Sequence, residues 1–268
     1  MKKTVIILVL LFGIQQIRAQ HFTHDVGFMF GTATIQTDYG QRGNFLSSYG
    51  NSNLSFSFNH YLHFFNKDLR WNADHKFWSY VSLKTEVNFV LKRDLEHSGE
   101  FVDGNTDLAK LLRAMKGSTQ IFNVGFELNY HINCLRDFVY PYSKTKWSPY
   151  FAFGIKYSAF ENTLESSLGD WRQDITVLPQ KWRVPGALDV GKGSALSATL
   201  GFGTRYKLSQ KLDAVSQFNW QVFFSDALDG LQADVIENKK NEWLINLQVG
   251  LIYHLNFSRP LGTEILNF

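Results

Sequence analysis

The sequence predicts an all-β fold: an eight-stranded antiparallel up-and-down transmembrane β-barrel behind a cleaved N-terminal signal peptide. Three observations predict it. Eight segments alternate apolar and polar residues with period two, so each reads as a strand between two different environments. The connections after the odd-numbered strands are long and those after the even-numbered ones shorter, the habit of outer-membrane barrels. Outward aromatic residues gather in two belts near the strand ends, as the girdles of membrane barrels do.

The chain begins with an export segment. Met1-Lys2-Lys3 is a basic start, Thr4 to Ile14 is an apolar run too short to span a bilayer, and Ala19 before Gln20 marks a cleavage point. The predicted organisation is therefore signal peptide 1–19, barrel 20–257 and a short tail 258–268. The 268 residues carry 27 Lys and Arg against 24 Asp and Glu, but Lys2, Lys3 and Arg18 account for the whole excess. A neutral mature chain offers no general grip on polyanions, so nucleic acid is not an expected partner. Mean hydropathy is −0.18 and no mature stretch reaches the ~18 apolar residues of a spanning helix. The single Cys134 cannot form an internal disulfide.

The strands follow in order. The first and weakest sets Val26, Phe28 and Phe30 against Asp25, Gly27, Met29 and Gly31. The second, 53–65, sets Leu54, Phe56, Phe58, His60, Leu62 and Phe64 against Asn53, Ser55, Ser57, Asn59, Tyr61 and His63. The third, 77–92, sets Phe77, Val81, Leu83, Val87, Phe89 and Leu91 against Lys84, Glu86, Asn88 and Lys92. The fourth, 119–132, sets Phe122, Val124, Phe126, Leu128, Tyr130 and Ile132 against Asn123, Gly125, Glu127, Asn129 and His131. The fifth, 147–160, sets Phe151, Phe153, Ile155 and Tyr157 against Ala152, Gly154, Lys156 and Ser158. The sixth, 194–208, sets Leu196, Leu200, Phe202, Tyr206 and Leu208 against Ser197, Thr199, Gly201, Gly203, Arg205 and Lys207. The seventh, 212–225, sets Phe218, Trp220, Val222 and Phe224 against Asp213, Gln217, Asn219 and Gln221. The eighth, 241–257, sets Trp243, Ile245, Leu247, Val249, Leu251 and Tyr253 against Glu242, Asn246, Gln248, Gly250 and His254. Most reach the ~9–11 residues of a tilted spanning strand.

Size decides which face points inward. Eight faces of Gly, Ser, Asn and Ala fit a narrow lumen, and eight faces of Phe, Leu and Trp do not. The inward charges are then Lys84, Glu86, Lys92, Glu127, Lys156, Arg205, Lys207, Asp213 and Glu242. Among them Lys84, Glu86, Glu127, Lys156 and Arg205 form a candidate lumen network that fills the barrel, with a narrow polar pore as the rival reading. Phe64, Phe77, Tyr130, Trp147, Tyr206, Trp243 and Tyr253 are the candidate membrane-girdle aromatics.

The long connections are 35–50, 93–118, 161–193 and 226–240; the shorter ones are 66–76, 133–146 and 209–211. Thr106 to Met115 reads as a helix, with Thr106 as N-cap and Gly117 as its stop. Trp171, Pro179, Trp182 and Pro185 suit a loop folded over the barrel mouth. No catalytic, cofactor or metal set emerges. Glu96-His97-Ser98 is adjacency on an extended chain, whose neighbours point apart; His21, His24, His60, His63 and His75 lack compact ligand spacing. Gly191-Lys-Gly193-Ser precedes a strand, not a helix, and reads as a turn.

Asp38-Tyr39-Gly40, Asn44-Phe45, Gly50-Asn51, Leu112-Arg-Ala-Met-Lys-Gly117 and Ser148-Pro-Tyr-Phe-Ala-Phe-Gly154 resemble a family of small Bacteroidetes-type outer-membrane β-barrels without an assigned role. Members of that family sometimes carry a glutamate dehydrogenase label, which an exported chain with no cofactor domain contradicts. The resemblance implies no catalytic residues. The expectation is a non-enzymatic barrel of the cell outer membrane, without cofactors. Its role is structural or partner-binding, with outer-membrane lipid and envelope or secretion-machinery proteins as partners. A narrow pore and a membrane-embedded lipid or peptide hydrolase remain the alternatives.

Overall fold

A computed structural model of the chain describes residues 23–39, 50–64, 77–139, 143–225, 227–232 and 242–255. The signal segment 1–19 and the tail 258–268 lie outside them, as do His21, His75, Gly40, Asn44 and Phe45.

Eight strands form one closed antiparallel barrel: β1 (Thr23–Gln36), β2 (Ser52–His63), β3 (Val81–Glu96), β4 (Met115–His131), β5 (Trp147–Ser166), β6 (Lys192–Lys207), β7 (Leu212–Phe223) and β8 (Trp243–His254). Each pairs with the next, and β1 closes on β8 from Asp25↔His254 to Gln36↔Trp243. Closure leaves no unpaired sheet edge around the wall. The predicted faces hold along the strands: Phe122, Phe126, Leu128 and Tyr130 are exposed while Asn123, Glu127, Asn129 and His131 are buried.

Several elements differ from the sequence reading. Phe77 belongs to a short 3-10 turn, Phe77–Tyr80, rather than to β3. β4 starts earlier and β5 ends later than the alternation suggests, because both run on into a raised wall with β3. Lys92 does not face the lumen. The pairing slips between Val90 and Arg93, and this bulge puts both Leu91 and Lys92 on the outside before Leu95 turns inward. The helix expected over 106–115 is α2 (Asp107–Ala114), preceded by a single turn, α1 (Glu100–Asp103). Thr106 caps it, its hydroxyl accepting from Ala109 N–H at 3.1 Å. Gly117 is not its stop: Met115 ends the helix, and Gly117 is a strand residue against which the Tyr39 ring packs where a Cβ would stand. A short helix, α3 (Leu135–Val139), occupies the 133–146 connection that reads as a plain turn.

Candidate functional site

The barrel interior is a stack of side-chain layers. At its middle lies an alternating square of charges. Lys84 Nζ is 2.6 Å from Glu86 and 2.5 Å from Glu127; Lys156 Nζ is 2.8 Å from Glu86 and 3.0 Å from Glu127. All four side chains are at most 2% exposed. The register explains how three strands build it. Lys84 stands opposite Glu127, whereas Glu86 and Lys156 flank Gly125 of the strand between them. A Cβ at Gly125 would lie 2.6 Å from Lys156 Cγ, so the glycine is what lets Lys156 reach across β4 to Glu86. Gln217 and Asn219 donate to Glu127, and Lys84 donates to Gln217, so the square is tied to β7 on the far wall.

Arg205 is not part of this square. It pairs with Asp213 at 2.8 Å and Asp25 at 3.0 Å in a second cluster at the short-turn end. His63 meets Asp25 at 2.6 Å, and His254 touches Asp25 through Nδ1 at 2.8 Å and Asp213 through Nε2 at 3.1 Å. Five strands, including both sides of the β1–β8 closure, converge on this cluster. Phe138 of α3 sits beneath it, fully buried, with the Arg205 guanidinium 5.9 Å and the Lys207 ammonium 5.2 Å from its ring.

Between the two ionic layers lie Met29, Tyr61, Tyr150, Val215 and Ile252. Above the square, Asn88, Asn123, Ser55, Ser158, Ser197 and Gln221 join in a hydrogen-bonded layer, with Ser158 donating to Asn123 at 2.6 Å and Gln221 to Ser197 at 2.9 Å. Ile35, Val90, Ile121, Phe160, Phe223 and Leu244 form a further apolar layer. The long-loop end is then closed by Tyr39, Leu95, Met115, Leu164, Leu178, Trp182, Ala187 and Leu231. Trp182 is buried and Trp171 donates to Leu164 O at 2.8 Å, so the third long loop does fold over the mouth. Within this cap the His97 ring packs at a tilt against Tyr39, their centroids 4.7 Å apart. Burial, and then the nearby Lys181 ammonium, push its imidazole down to about 4. Burial, reinforced by Asp229, Asp38 and Glu242, holds the Tyr39 phenol well above its usual range.

The middle of the exterior is apolar. Along β4 and the residue after it the outward side chains from Phe122 to Ile132 are Phe122, Val124, Phe126, Leu128, Tyr130 and Ile132. Ten residues advance ~34 Å along a strand, or about 26 Å along the axis at a tilt near 40°, matching the ~25 Å apolar band of membrane barrels. Of the candidate girdle aromatics, Phe77, Tyr130, Trp147 and Tyr253 are exposed. Phe77 stacks on Tyr130 at 6.1 Å, Trp147 meets Tyr206 at 5.0 Å and Phe64 meets Trp78 at 5.4 Å, all near the short turns. Trp243 packs on Trp220 at 5.5 Å near the opposite end.

Candidate chemistry is sparse. Glu96 turns to Lys116 at 2.6 Å while His97 turns to Tyr39, so the adjacent Glu96-His97-Ser98 is not a working set. His131 Nδ1 is 2.8 Å from Ser148 Oγ, but both are buried and, among the described residues, His131 Nε2 meets no carboxylate to orient it. No group of three or more His, Cys, Asp or Glu able to hold a metal occurs among the described residues. The alternation of the sequence places His63, Asp213 and His254 inward but does not join them to Asp25 and Arg205. Only the register across β1, β2, β6, β7 and β8 does that.

No protein-family model matches the chain, and no curated protein matches it. Solved structures do resemble it. A major outer membrane protein from Thermus thermophilus has 14% identity and a TM-score of 0.47, over 87% of this chain and 99% of that one. Neisserial surface protein A has 8% identity and a TM-score of 0.43, over 87% and 97%. Ail, the attachment invasion locus protein of Yersinia pestis, was solved with the heparin analogue sucrose octasulfate; it has 11% identity and a TM-score of 0.40, over 87% and 97%. At this level of likeness the architecture rests on the strand pairing itself.

Proposed function

We propose that this chain is an outer-membrane β-barrel with a structural or partner-binding role in the cell envelope, working through its surfaces and not through a channel. The observation that carries this reading is the filled lumen. Two ionic layers, an amide layer and two apolar layers stack between the Phe138 plug and the Trp182 cap. Among the described residues each apolar layer interrupts a file of water through the lumen. The uncharged apolar belt supports a lipid environment, because lipid-facing charges near the bilayer midplane cost about 2–4 kcal/mol.

What remains available is the long-loop end. There Phe101 is 72% and Val184 63% exposed, and Leu168, Leu108 and Ile175 are exposed as well. Apolar residues held outward on an ordered cap suit contact with another envelope protein. Planar-bilayer recording tests the reading: the folded barrel is expected to be electrically silent. A stable single-channel step, with no photocrosslinked adduct from Phe101 or Val184 in cells, would move the assignment to a pore. An activity lost on one His or Ser substitution would move it to a hydrolase.

A further inference from the structure

The outward surface of the described strands carries one pair of imidazoles. His24 of β1 and His60 of β2 are diagonal neighbours, since His24 pairs with Leu62 and Val26 with His60. Both side chains are half-buried at the short-turn end of the barrel. Their rings stack at 5.3 Å with planes 26° apart, and His24 Nδ1 lies 3.0 Å from His60 Nε2. Around them the outward residues are Val26, Phe28, Phe58 and Leu62. Ionisable groups on a lipid-facing wall are uncommon and point to a site, because an apolar residue fits such a position at no solvation cost.

We infer that His24 and His60 form an open two-imidazole site for a late divalent transition metal, of the Cu2+ or Ni2+ class, at the rim of the short-turn end. The separation of the two nitrogens fits that class, which imidazole ligands suit. Metal–imidazole bonds of about 2.0–2.1 Å that hold nitrogens 3.0 Å apart subtend about 94° at the ion. That is the angle between neighbouring ligands of a square-planar or octahedral ion, whereas a tetrahedral ion would hold them about 3.3 Å apart. In the metal-free pair one ring N–H donates to the other nitrogen; on metal binding the donor ring carries its proton on its other ring nitrogen instead, and the two facing nitrogens become ligands. With no third His, Cys, Asp or Glu converging there among the described residues, the remaining positions are filled by water or headgroup oxygen. Imidazole ligands must be unprotonated, so the metal competes with protons and binds more weakly at low pH.

The test is a Cu2+ titration of the folded, tag-free protein in detergent, followed by electron paramagnetic resonance. One equivalent is expected to bind saturably with splitting from two imidazole nitrogens. The signal is expected to disappear in His24→Gln and in His60→Gln and to survive in His21→Gln, which controls for the neighbouring histidine. Gel mobility before and after boiling establishes that each variant is folded. A second measurement needs no variant: in wild-type protein, Cu2+ is expected to broaden the His24 and His60 imidazole resonances first. An unchanged signal in the His24→Gln/His60→Gln double variant, or imidazole resonances that stay sharp at one equivalent, would overturn the site.

Discussion

Removing Lys84 by Lys84→Met puts the central square to its sharpest test. Lys84 faces Glu86 at 2.6 Å and Glu127 at 2.5 Å, and both carboxylates also share Lys156. With Lys84 gone, two buried carboxylates compete for one ammonium and the layer carries an uncompensated negative charge. Leaving a buried ion without its partner costs about 3–5 kcal/mol. Glu86→Gln leaves the opposite imbalance, two ammonium groups on Glu127, and is expected to cost a similar amount. The double variant keeps the neutral Lys156–Glu127 pair at 3.0 Å. Replacing a complete buried pair by neutral groups of similar volume is often nearly neutral, so its loss is expected to stay below about 2 kcal/mol. The double variant should therefore be more stable than either single one. Equilibrium urea unfolding in micelles, followed by tryptophan fluorescence and gel mobility, gives all three values. Losses that simply add would refute the square as a charge-compensated unit.

Other consequences follow from the layers above and below. Gly125→Ala pushes a methyl group against Lys156 and the Ile155 carbonyl, and is expected to cost about 1–3 kcal/mol by overpacking, read by the same unfolding assay. Trp182→Ala empties the centre of the cap, a change worth about 3–5 kcal/mol where a buried tryptophan is lost. Trypsin should then cut at Arg172, Lys181 or Arg183 while the strands stay protected. His97 is neutral in the folded cap, with its imidazole held at about 4 against about 6.5 in an unfolded chain. The unfolded state binds the proton more readily between these values, so the His97 contribution is intact above pH 6.5, declines as pH falls towards 4 and levels off below it. Protease sensitivity of the long loops should rise through that window, and His97→Phe should flatten the profile.

The wall of this barrel is legible because a strand between lipid and lumen writes its two environments on alternate residues. Phe122 to Tyr130 and Leu247 to Tyr253 state their outward face one residue at a time. The exceptions have local causes. Lys92 departs from its expected face because a bulge shifts parity without any change in composition that announces it. The end of β5 escapes the pattern because Asn162 and Leu164 continue the inward face with an amide and then a leucine, and the expected small-residue alternation is lost. The interior is less legible. Charge at Lys84, Glu86, Glu127 and Lys156 can be counted, but their meeting depends on Gly125 standing between Glu86 and Lys156, which is a fact of register. Arg205 looks equivalent to those lysines in the sequence, yet the axial offset between strands carries it to Asp25, Asp213 and His254. Phe138 escapes notice because a five-residue helix inside a connection gives too little periodicity to detect.

The central claim is that the apolar wall faces lipid around a closed barrel. Its most direct test is cell fractionation followed by electrophoresis of boiled and unboiled samples. Recovery in the outer-membrane fraction is expected, with a faster-migrating folded form that shifts on boiling. Recovery in the soluble fraction, with the same mobility before and after heating, would contradict it.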